Sequence, residues 1–136
     1  MNSDKTMKEI LLSAKTIATV GLSSNPEKES YGVAQYLKSQ GYRVIPVNPT
    51  APEILGEKSY PDLESIPERI DVVQIFRKPE DVPPVVDGAI KAGATVVWMQ
   101  EGITNEESAQ KARAAGLQVI MDACMRETHK RLIGDN

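Results

Sequence analysis

The chain has 136 residues, a formal net charge of −3, one cysteine and one histidine. This length allows a single domain, residues 1–136, but not a cofactor domain joined to a separate substrate domain. The acidic balance argues against nucleic-acid binding, and one cysteine with one histidine excludes a disulfide framework and a structural zinc site. No apolar run approaches the ~20 residues of a membrane span, so we expect a soluble cytoplasmic protein.

Helix and strand patterns alternate along the whole sequence. Apolar and β-branched runs predict five strands, at residues 17–20, 43–47, 71–77, 95–99 and 118–121. Amphipathic patterns predict five helices, at residues 4–14, 30–40, 81–93, 104–116 and 126–133. Ser3 with Asp4 is expected to cap the first helix, and a capping box from Thr104 to Glu107 is expected to open the fourth.

Proline positions add two expectations. Pro46 lacks a backbone N–H, so pairing of the second strand should be one-sided or finished there. Residues 48–69 hold four of the nine prolines and predict a loop with one short helix at residues 62–66.

The alternation of strands and helices predicts an α/β fold of the Rossmann-like, three-layer kind. Its core would be a five-stranded parallel sheet with helices on both faces. With the first strand central, the predicted strand order is 3-2-1-4-5, and a ligand crevice lies where strands 1 and 4 diverge at their carboxyl ends. The loops expected to face this crevice are 21–31, 48–50, 76–79, 99–103 and 122–126.

The first strand ends in a tight polar turn, Gly21-Leu22-Ser23-Ser24-Asn25-Pro26. Such a turn, opening onto a helix, offers unpaired backbone N–H groups to a phosphate, although an ordinary strand-to-helix turn is the alternative. An NAD site would have a second glycine where Ser23 stands and an acidic residue after the second strand, where Asn48 and Pro49 stand instead. The P-loop pattern is missing too, so neither NAD binding nor ATP hydrolysis is favoured.

Six strings of residues, in order from about residue 10 to residue 133, carry a family resemblance. They are Gly21-Leu22-Ser23, Tyr31-Gly32-Val33, Gly41-Tyr42-Arg43-Val44-Ile45-Pro46-Val47-Asn48-Pro49, Phe76-Arg77-Lys78-Pro79, Trp98-Met99-Gln100-Glu101-Gly102 and Met121-Asp122-Ala123-Cys124. Together they resemble the small stand-alone CoA-binding proteins, which are related to the N-terminal domain of the succinyl-CoA synthetase α-subunit. The resemblance implies a Rossmann-like CoA-binding fold with no catalytic domain attached.

The resemblance also implies roles for particular residues. Phosphate contacts of the synthetase turn fall on Gly21, Ser23, Ser24 and Asn25. The string Val47-Asn48-Pro49 would border the adenosine, and Gln100-Glu101-Gly102 would lie beside the pantetheine arm. Leu22 and Phe76 belong to the same strings and complete the expected site. The chain departs from the synthetase by having Thr50-Ala51 in place of a Gly-Lys pair and by inserting residues 26–29.

Three cations on the predicted crevice loops could gather the anionic groups of CoA. Lys28, Arg77 and Lys78 would lie beside the helix N-terminus at Ser30, whose partial positive charge adds to theirs. Solvated surface charge is the alternative for Arg77 and Lys78.

Three further side chains each have two interpretations. Tyr31 either covers the ligand or packs in the core, and Asn48 either bonds the adenosine or forms a turn before Pro49. Trp98 is expected to pack rather than stack on a ligand.

Cys124 follows the fifth strand and precedes a helix, a position that favours a reactive thiol. It is a candidate nucleophile or a mixed-disulfide partner for CoA, with a buried small apolar residue as the alternative. A dyad with His129 is excluded, because five residues along a helix turn the two side chains to different faces. We therefore expect His129 at the surface.

The sequence lacks a recognisable catalytic set, so we expect a module that binds coenzyme A or an acyl-CoA without catalysis of its own. Three alternatives remain open. They are an NAD(P)- or other nucleotide-binding module, a small thiol or acyl-transfer enzyme using Cys124, and a regulatory subunit that reports acyl-CoA to a protein partner. A homo-oligomer is equally open.

Overall fold

Seven strands and five α-helices make up the part of the chain that the computed structural model describes, residues 2–134. The strands are β1 (Thr16–Val20), β2 (Arg43–Val47), β3 (Glu53–Ile54), β4 (Glu57–Lys58), β5 (Val72–Ile75), β6 (Val96–Met99) and β7 (Gln118–Ile120). The helices are α1 (Asp4–Ser13), α2 (Glu29–Ser39), α3 (Val82–Lys91), α4 (Glu106–Ala114) and α5 (Met125–Leu132), with a short 3₁₀ turn at Pro79–Asp81. Within residues 2–134 no helix has the length and apolar character to cross a bilayer.

The main sheet has five parallel strands in the order β2-β1-β5-β6-β7. Counted as the five predicted strands, this is 2-1-3-4-5, so the predicted order 3-2-1-4-5 is wrong. The third strand, β5, pairs with β1 on the side away from β2, as in the register of Ile17 with Val72. The chain direction across the sheet therefore reverses between β1 and β5, and the crevice lies there rather than between strands 1 and 4.

On the outer side of β2, where the predicted order has a third strand, a single residue, Tyr60, pairs with the sheet. The Tyr60 N–H donates to the Pro46 carbonyl, and its own carbonyl accepts from the Asn48 N–H, both at 3.0 Å. In a parallel strand the N–H and C=O of one residue point to the same side, so the donor that Pro46 lacks faces this outer edge. Of the described strands, only β1 pairs with β2 along its length, as expected at Pro46, but the isolated bridge with Tyr60 adds one pairing on the outer side that the sequence did not predict.

The helices are divided between the two faces of the sheet. Helices α1, α2 and α5 cover one face, and α3 and α4 cover the other. Successive strand residues alternate between the two cores, as Ile17 and Ala18 do in β1, and both are fully buried. The three-layer α/β fold expected from the sequence is confirmed.

Two local expectations are wrong. The predicted helix at 62–66 is a turn, because the Asp62 carboxylate accepts from the Ser65 N–H at 2.8 Å and from its hydroxyl at 2.7 Å. Helix α4 is capped by Asn105, one residue after the expected Thr104, with the Asn105 side chain accepting from the Ser108 N–H at 3.0 Å. The cap at Ser3 is confirmed by its bond from the Thr6 N–H.

His129 is buried, not at the surface as expected. Its Nδ1 lies 2.8 Å from the Tyr36 hydroxyl, and its ring meets the rings of Tyr36 and Tyr42 edge-on. It follows the buried Met125 by four residues, so the two share the inward face of α5. The histidine therefore joins α5 to α2 through Tyr36.

Candidate functional site

Gly21 ends β1 at the point where the sheet order reverses. Its φ is +86°, and a Cβ at this position would lie 2.1 Å from the Phe76 carbonyl oxygen. The Gly21 N–H donates to the Val47 carbonyl at 3.2 Å, and the Phe76 N–H donates to the Val20 carbonyl at 2.9 Å. The carboxyl ends of β1, β2 and β5 are therefore held against one another, and only glycine fits between them.

The loop after Gly21 bonds largely to itself. Side-chain oxygens of Ser23, Asn25 and Ser30 accept from the backbone N–H groups of Asn25, Glu27 and Ser23, at 2.9–3.0 Å. Leu22 is fully buried beneath the loop, whereas Ser24 and Lys28 are exposed.

Helix α2 begins directly after this loop without a side-chain cap. Its N-cap residue, Lys28, makes no capping bond, and its side chain is exposed. The first turn of a helix carries N–H groups without helical partners and a partial positive charge. The start of α2 is therefore a candidate position for an anion, and the phosphate site predicted from the sequence stays a prediction.

Arg126, the second residue of α5, joins the N-terminal ends of α5 and α2. Its guanidinium donates to Glu29 at 2.8 Å and to Glu127 at 2.9 Å. One guanidinium nitrogen lies 3.2 Å from where a Cβ on Gly32 would be, so Gly32 makes room for it. Burial by itself would lower the pKa of Arg126, but the hydrogen bond to Glu127 and the charges of Glu29 and Cys124 raise it above its usual value.

On the other face of the sheet lies the α3 pocket, a cavity of about 330 Å³. Its floor is apolar, formed by the ends of β1 and β2 together with the start of α3, and its rim carries both charges. Residues that line it include Val20, Val47, Leu63 and Val85 on the floor and Asp62, Glu64, Arg77 and Asp81 at the rim. The volume and lining are typical of a small-molecule site.

Asn48 is fully used in a turn. Its amide nitrogen donates to the Leu22 carbonyl at 2.9 Å, and its amide oxygen accepts from the backbone N–H groups of Thr50 and Ala51. These bonds tie the loop after β2 to the loop after β1 and favour the turn interpretation. Pro49 follows on the exposed side of the same turn.

The other predicted residues of this region differ in how deeply they are buried. Tyr31 and Phe76 are half-buried and pack against the core on the α2 side of the sheet. Trp98 is fully buried and its Nε1 donates to the Ala123 carbonyl at 2.8 Å, so the packing interpretation is confirmed. Lys78 is exposed immediately before the 3₁₀ turn that leads into α3.

Gln100 lies under the first turn of α5. It is buried, its amide oxygen accepts from the Met125 N–H at 3.4 Å, and its amide nitrogen has no partner within residues 2–134. The next two residues, Glu101 and Gly102, are exposed at the end of β6. The Gly102 N–H donates to the Asp122 carboxylate at 2.6 Å, which holds this loop beside the loop after β7.

Cys124 is the N-cap residue of α5, and its side chain makes no capping bond. It is 9% exposed and lines an open cleft of about 600 Å³, the Cys124 cleft, with Glu101, Asp122, Thr128 and Lys130. Cys124 is therefore a buried residue of the core on the α2 side of the sheet, at the border of this cleft.

The structure brings most predicted residues to the carboxyl edge of the sheet, but divides them between its faces. Arg77 borders the α3 pocket, whereas Lys28 stands at α2 on the opposite face, so the expected single cluster of cations does not form. Sequence reasoning missed the pocket wall at residues 61–64 and the guanidinium of Arg126. A signal for Arg126 was present, because it is a cation in the first turn of a helix, where acidic residues are usual.

Comparisons with known proteins agree on one family. The family model described as a CoA binding domain matches residues 15–130. The chain is 42% identical over 123 residues to the uncharacterized protein YneT of Bacillus subtilis, covering 90% of this chain and 91% of that protein. A solved hypothetical protein from Pyrococcus horikoshii has a TM-score of 0.95 and 44% identity, covering 98% of this chain and 94% of that chain.

A longer relative matches over one part of its length. The alpha subunit of acetate–CoA ligase (ADP-forming) II of Pyrococcus furiosus is 28% identical over 140 residues, covering 93% of this chain. The match covers 30% of the ligase subunit, so this chain corresponds to less than a third of it. Because the family model spans most of the sequence, the chain belongs to the CoA binding domain family.

Proposed function

We propose that the protein binds coenzyme A or an acyl-CoA across the carboxyl edge of its sheet, without catalysis of its own. The observation that carries this proposal is the α3 pocket, which opens beside the Gly21 turn where the sheet order reverses. This is the position at which open α/β sheets bind nucleotide-like ligands. The pocket's apolar floor suits a purine, and Arg77 at its rim supplies a cation.

The diphosphate of CoA would lie at the Gly21 loop and the uncapped start of α2. Lys28 and the first-turn N–H groups of α2 can donate to phosphate oxygens, and the short bonds within the loop can be exchanged for bonds to the ligand. The pantetheine arm would then run past Phe76 and the loop at residues 100–102 toward Cys124.

A nicotinamide dinucleotide is the second candidate, because one observation favours it. Asp62 and Glu64 stand at the rim of the α3 pocket, where a carboxylate could accept from ribose hydroxyls. A small thiol or acyl-transfer enzyme using Cys124 and a regulatory module with a protein partner also fit the fold. The match to one part of a ligase subunit favours binding over ligation.

We expect CoA to bind in preference to NAD⁺ and ATP. The Gly21 turn offers a phosphate position, whereas the residue after β2 is Asn48, whose side chain is committed to a turn and carries no charge for a ribose. At a hundredfold excess over its Kd, CoA should stabilise the protein by ~2.7 kcal/mol. Calorimetric titration and thermal unfolding with each ligand measure this preference. Tighter binding of NAD⁺ than of CoA would overturn the proposal.

Removing Arg77 and Lys78 together should weaken CoA binding by roughly tenfold to a hundredfold, because a charge-assisted phosphate contact is worth ~1.5–3 kcal/mol. If the pair holds the 3′-phosphate, the loss for dephospho-CoA should be smaller. The double variant Lys15→Ala/Arg69→Ala removes the same charge at the opposite, amino edge of the sheet and is the matched control. If the Arg77→Ala/Lys78→Ala protein binds CoA and dephospho-CoA as tightly as the control variant does, the proposed phosphate contact is wrong. Arg77 and Lys78 are then solvated surface charges.

A further inference from the structure

One wall of the α3 pocket belongs to a segment, residues 61–67, whose backbone has no hydrogen bond to any other residue that the structure describes. We call this segment the flap. Its bonds lie within its own turn, where the Ile66 N–H donates to the Leu63 carbonyl at 3.2 Å and the Ser65 N–H donates to the Asp62 carboxylate at 2.8 Å. Because these bonds are internal, the flap can move as one body without breaking them.

Both ends of the flap are fixed to the sheet. Before the flap, Tyr60 is bonded to the backbone of Pro46 and Asn48, both at 3.0 Å. After the flap, the Glu68 carboxylate accepts from the Arg43 guanidinium at 2.8 and 2.6 Å. A segment that is held at both ends and has no backbone ties between them is the arrangement expected of a hinged loop.

Two apolar side chains hold the flap against α3. Leu63 is 4% exposed and Ile66 is 8% exposed, and both belong to the core that α3 covers. Leu63 meets the helix at Gly88, where a Cβ would lie 3.8 Å from the Leu63 Cβ and 3.5 Å from its Cδ1. The flap and α3 therefore touch beside the pocket that they line together.

The other walls of the α3 pocket belong to regular elements. Val20 and Val47 are paired in register at the ends of β1 and β2, and Val85 lies within α3. The cavity of about 330 Å³ is at the lower end of the volumes of small-molecule sites, ~300–1,000 Å³. The nucleotide end of CoA therefore gains room most easily at the flap, the wall without backbone ties.

We propose that the flap opens to admit the nucleotide end of CoA to the α3 pocket and closes over it, an inference that rests on the proposed CoA binding. Opening withdraws Leu63 and Ile66 from the core and leaves the Tyr60 bridge and the Glu68–Arg43 ion pair in place. Closing buries the two apolar side chains again, which favours the closed position. Entry and release of CoA are then both limited by opening of the flap.

A reversible cross-link between the flap and α3 tests this proposal. The Cβ separation of 3.8 Å between positions 63 and 88 is the mean value in disulfides, so Leu63→Cys/Gly88→Cys should oxidise to a bridge that holds the flap closed. Peptide mass distinguishes this bridge from one that uses Cys124. We expect CoA to associate with the oxidised protein more slowly than with the dithiothreitol-reduced protein, by roughly tenfold or more. When the bridge is formed on the CoA complex, dissociation should slow as well.

The two rates separate gating from distortion, because a bridge that only deforms the pocket would speed dissociation. Equal rates for the oxidised and reduced proteins, or faster dissociation from the bridged complex, overturn the flap and leave the proposed function standing. If the parent protein does not bind CoA in calorimetry, the proposed function is wrong, and this inference with it.

Alkylation of single variants gives the same decision if the bridge does not form. Leu63→Cys places a thiol in the flap, and Val86→Cys places one at a fully buried position of α3 in the same core. Under native conditions we expect position 63 to be alkylated roughly tenfold faster than position 86 or more, and CoA to slow the reaction at position 63. Equal rates at the two positions, or a rate at position 63 that CoA does not change, overturn the flap.

Discussion

We expect Gly21→Ala to lower the free energy of unfolding by more than ~3 kcal/mol, because two costs add at this position. The backbone stands at φ +86°, where an L side chain is strained, and the new Cβ would lie 2.1 Å from the Phe76 carbonyl oxygen. That oxygen belongs to backbone at the end of β5, so it can move only if the paired strand ends separate. Urea denaturation at equilibrium measures the loss.

Gly41→Ala is the matched control. Gly41 has a φ of +98°, but a Cβ there would meet no atom within 4 Å, so only the backbone strain of about 1–2 kcal/mol should remain. The difference between the two variants isolates the contact with Phe76. Equal losses of stability in the two variants would show that the ends of β1 and β5 separate at little cost. The close approach of Gly21 to the Phe76 carbonyl would then not constrain the site.

The second large effect is expected at Trp98. Trp98→Ala should cost about 3–5 kcal/mol, because it empties a fully buried position in β6. It also removes the Nε1 donor that holds the Ala123 carbonyl at 2.8 Å, and with it the loop that leads to Cys124. Equilibrium unfolding measures the stability, and alkylation of the sole cysteine under native conditions measures the loop.

Trp98→Phe separates the two roles of this side chain. Phenylalanine keeps most of the apolar volume but leaves the Ala123 carbonyl without its donor, so the cost should fall to about 1–3 kcal/mol. Alkylation of Cys124 should still be faster than in the parent protein. An unchanged alkylation rate in Trp98→Phe would mean that the loop is held by other contacts, such as the bond from the Ala123 N–H to the Met99 carbonyl.

The layers of the fold could be predicted because they depend on local patterns. Apolar runs of four or five residues mark β1, β2, β5 and β6 within a few residues of their bounds, and a helical pattern follows each of them except β2. The strand order could not be predicted in the same way. The outer neighbour of β2 is one residue, Tyr60, and a strand of one residue has no periodicity to detect.

The residues of the candidate site can also be separated into those that local patterns predict and those that they do not. The Gly21 turn and the residues after β2, β5 and β6 were predictable, since carboxyl ends of parallel strands meet at one edge. The pocket wall at residues 61–64 and the position of Arg126 against α2 were not, because both depend on how distant segments pack. The burial of His129 was within reach, since it follows Met125 by four residues on one helix face.

The bridge between Val47 and Tyr60, formed through the backbone of Pro46 and Asn48, also bears on contact between the sheet edges of different molecules. An outermost strand with free N–H and C=O groups is a template onto which another chain can add a strand, the first step of edge-to-edge aggregation. At β2 the proline has no N–H to offer, and Tyr60 already occupies the Pro46 carbonyl and the Asn48 N–H. A foreign strand would have to displace Tyr60 and would still lack a donor at Pro46, so strand addition at this end of β2 is disfavoured.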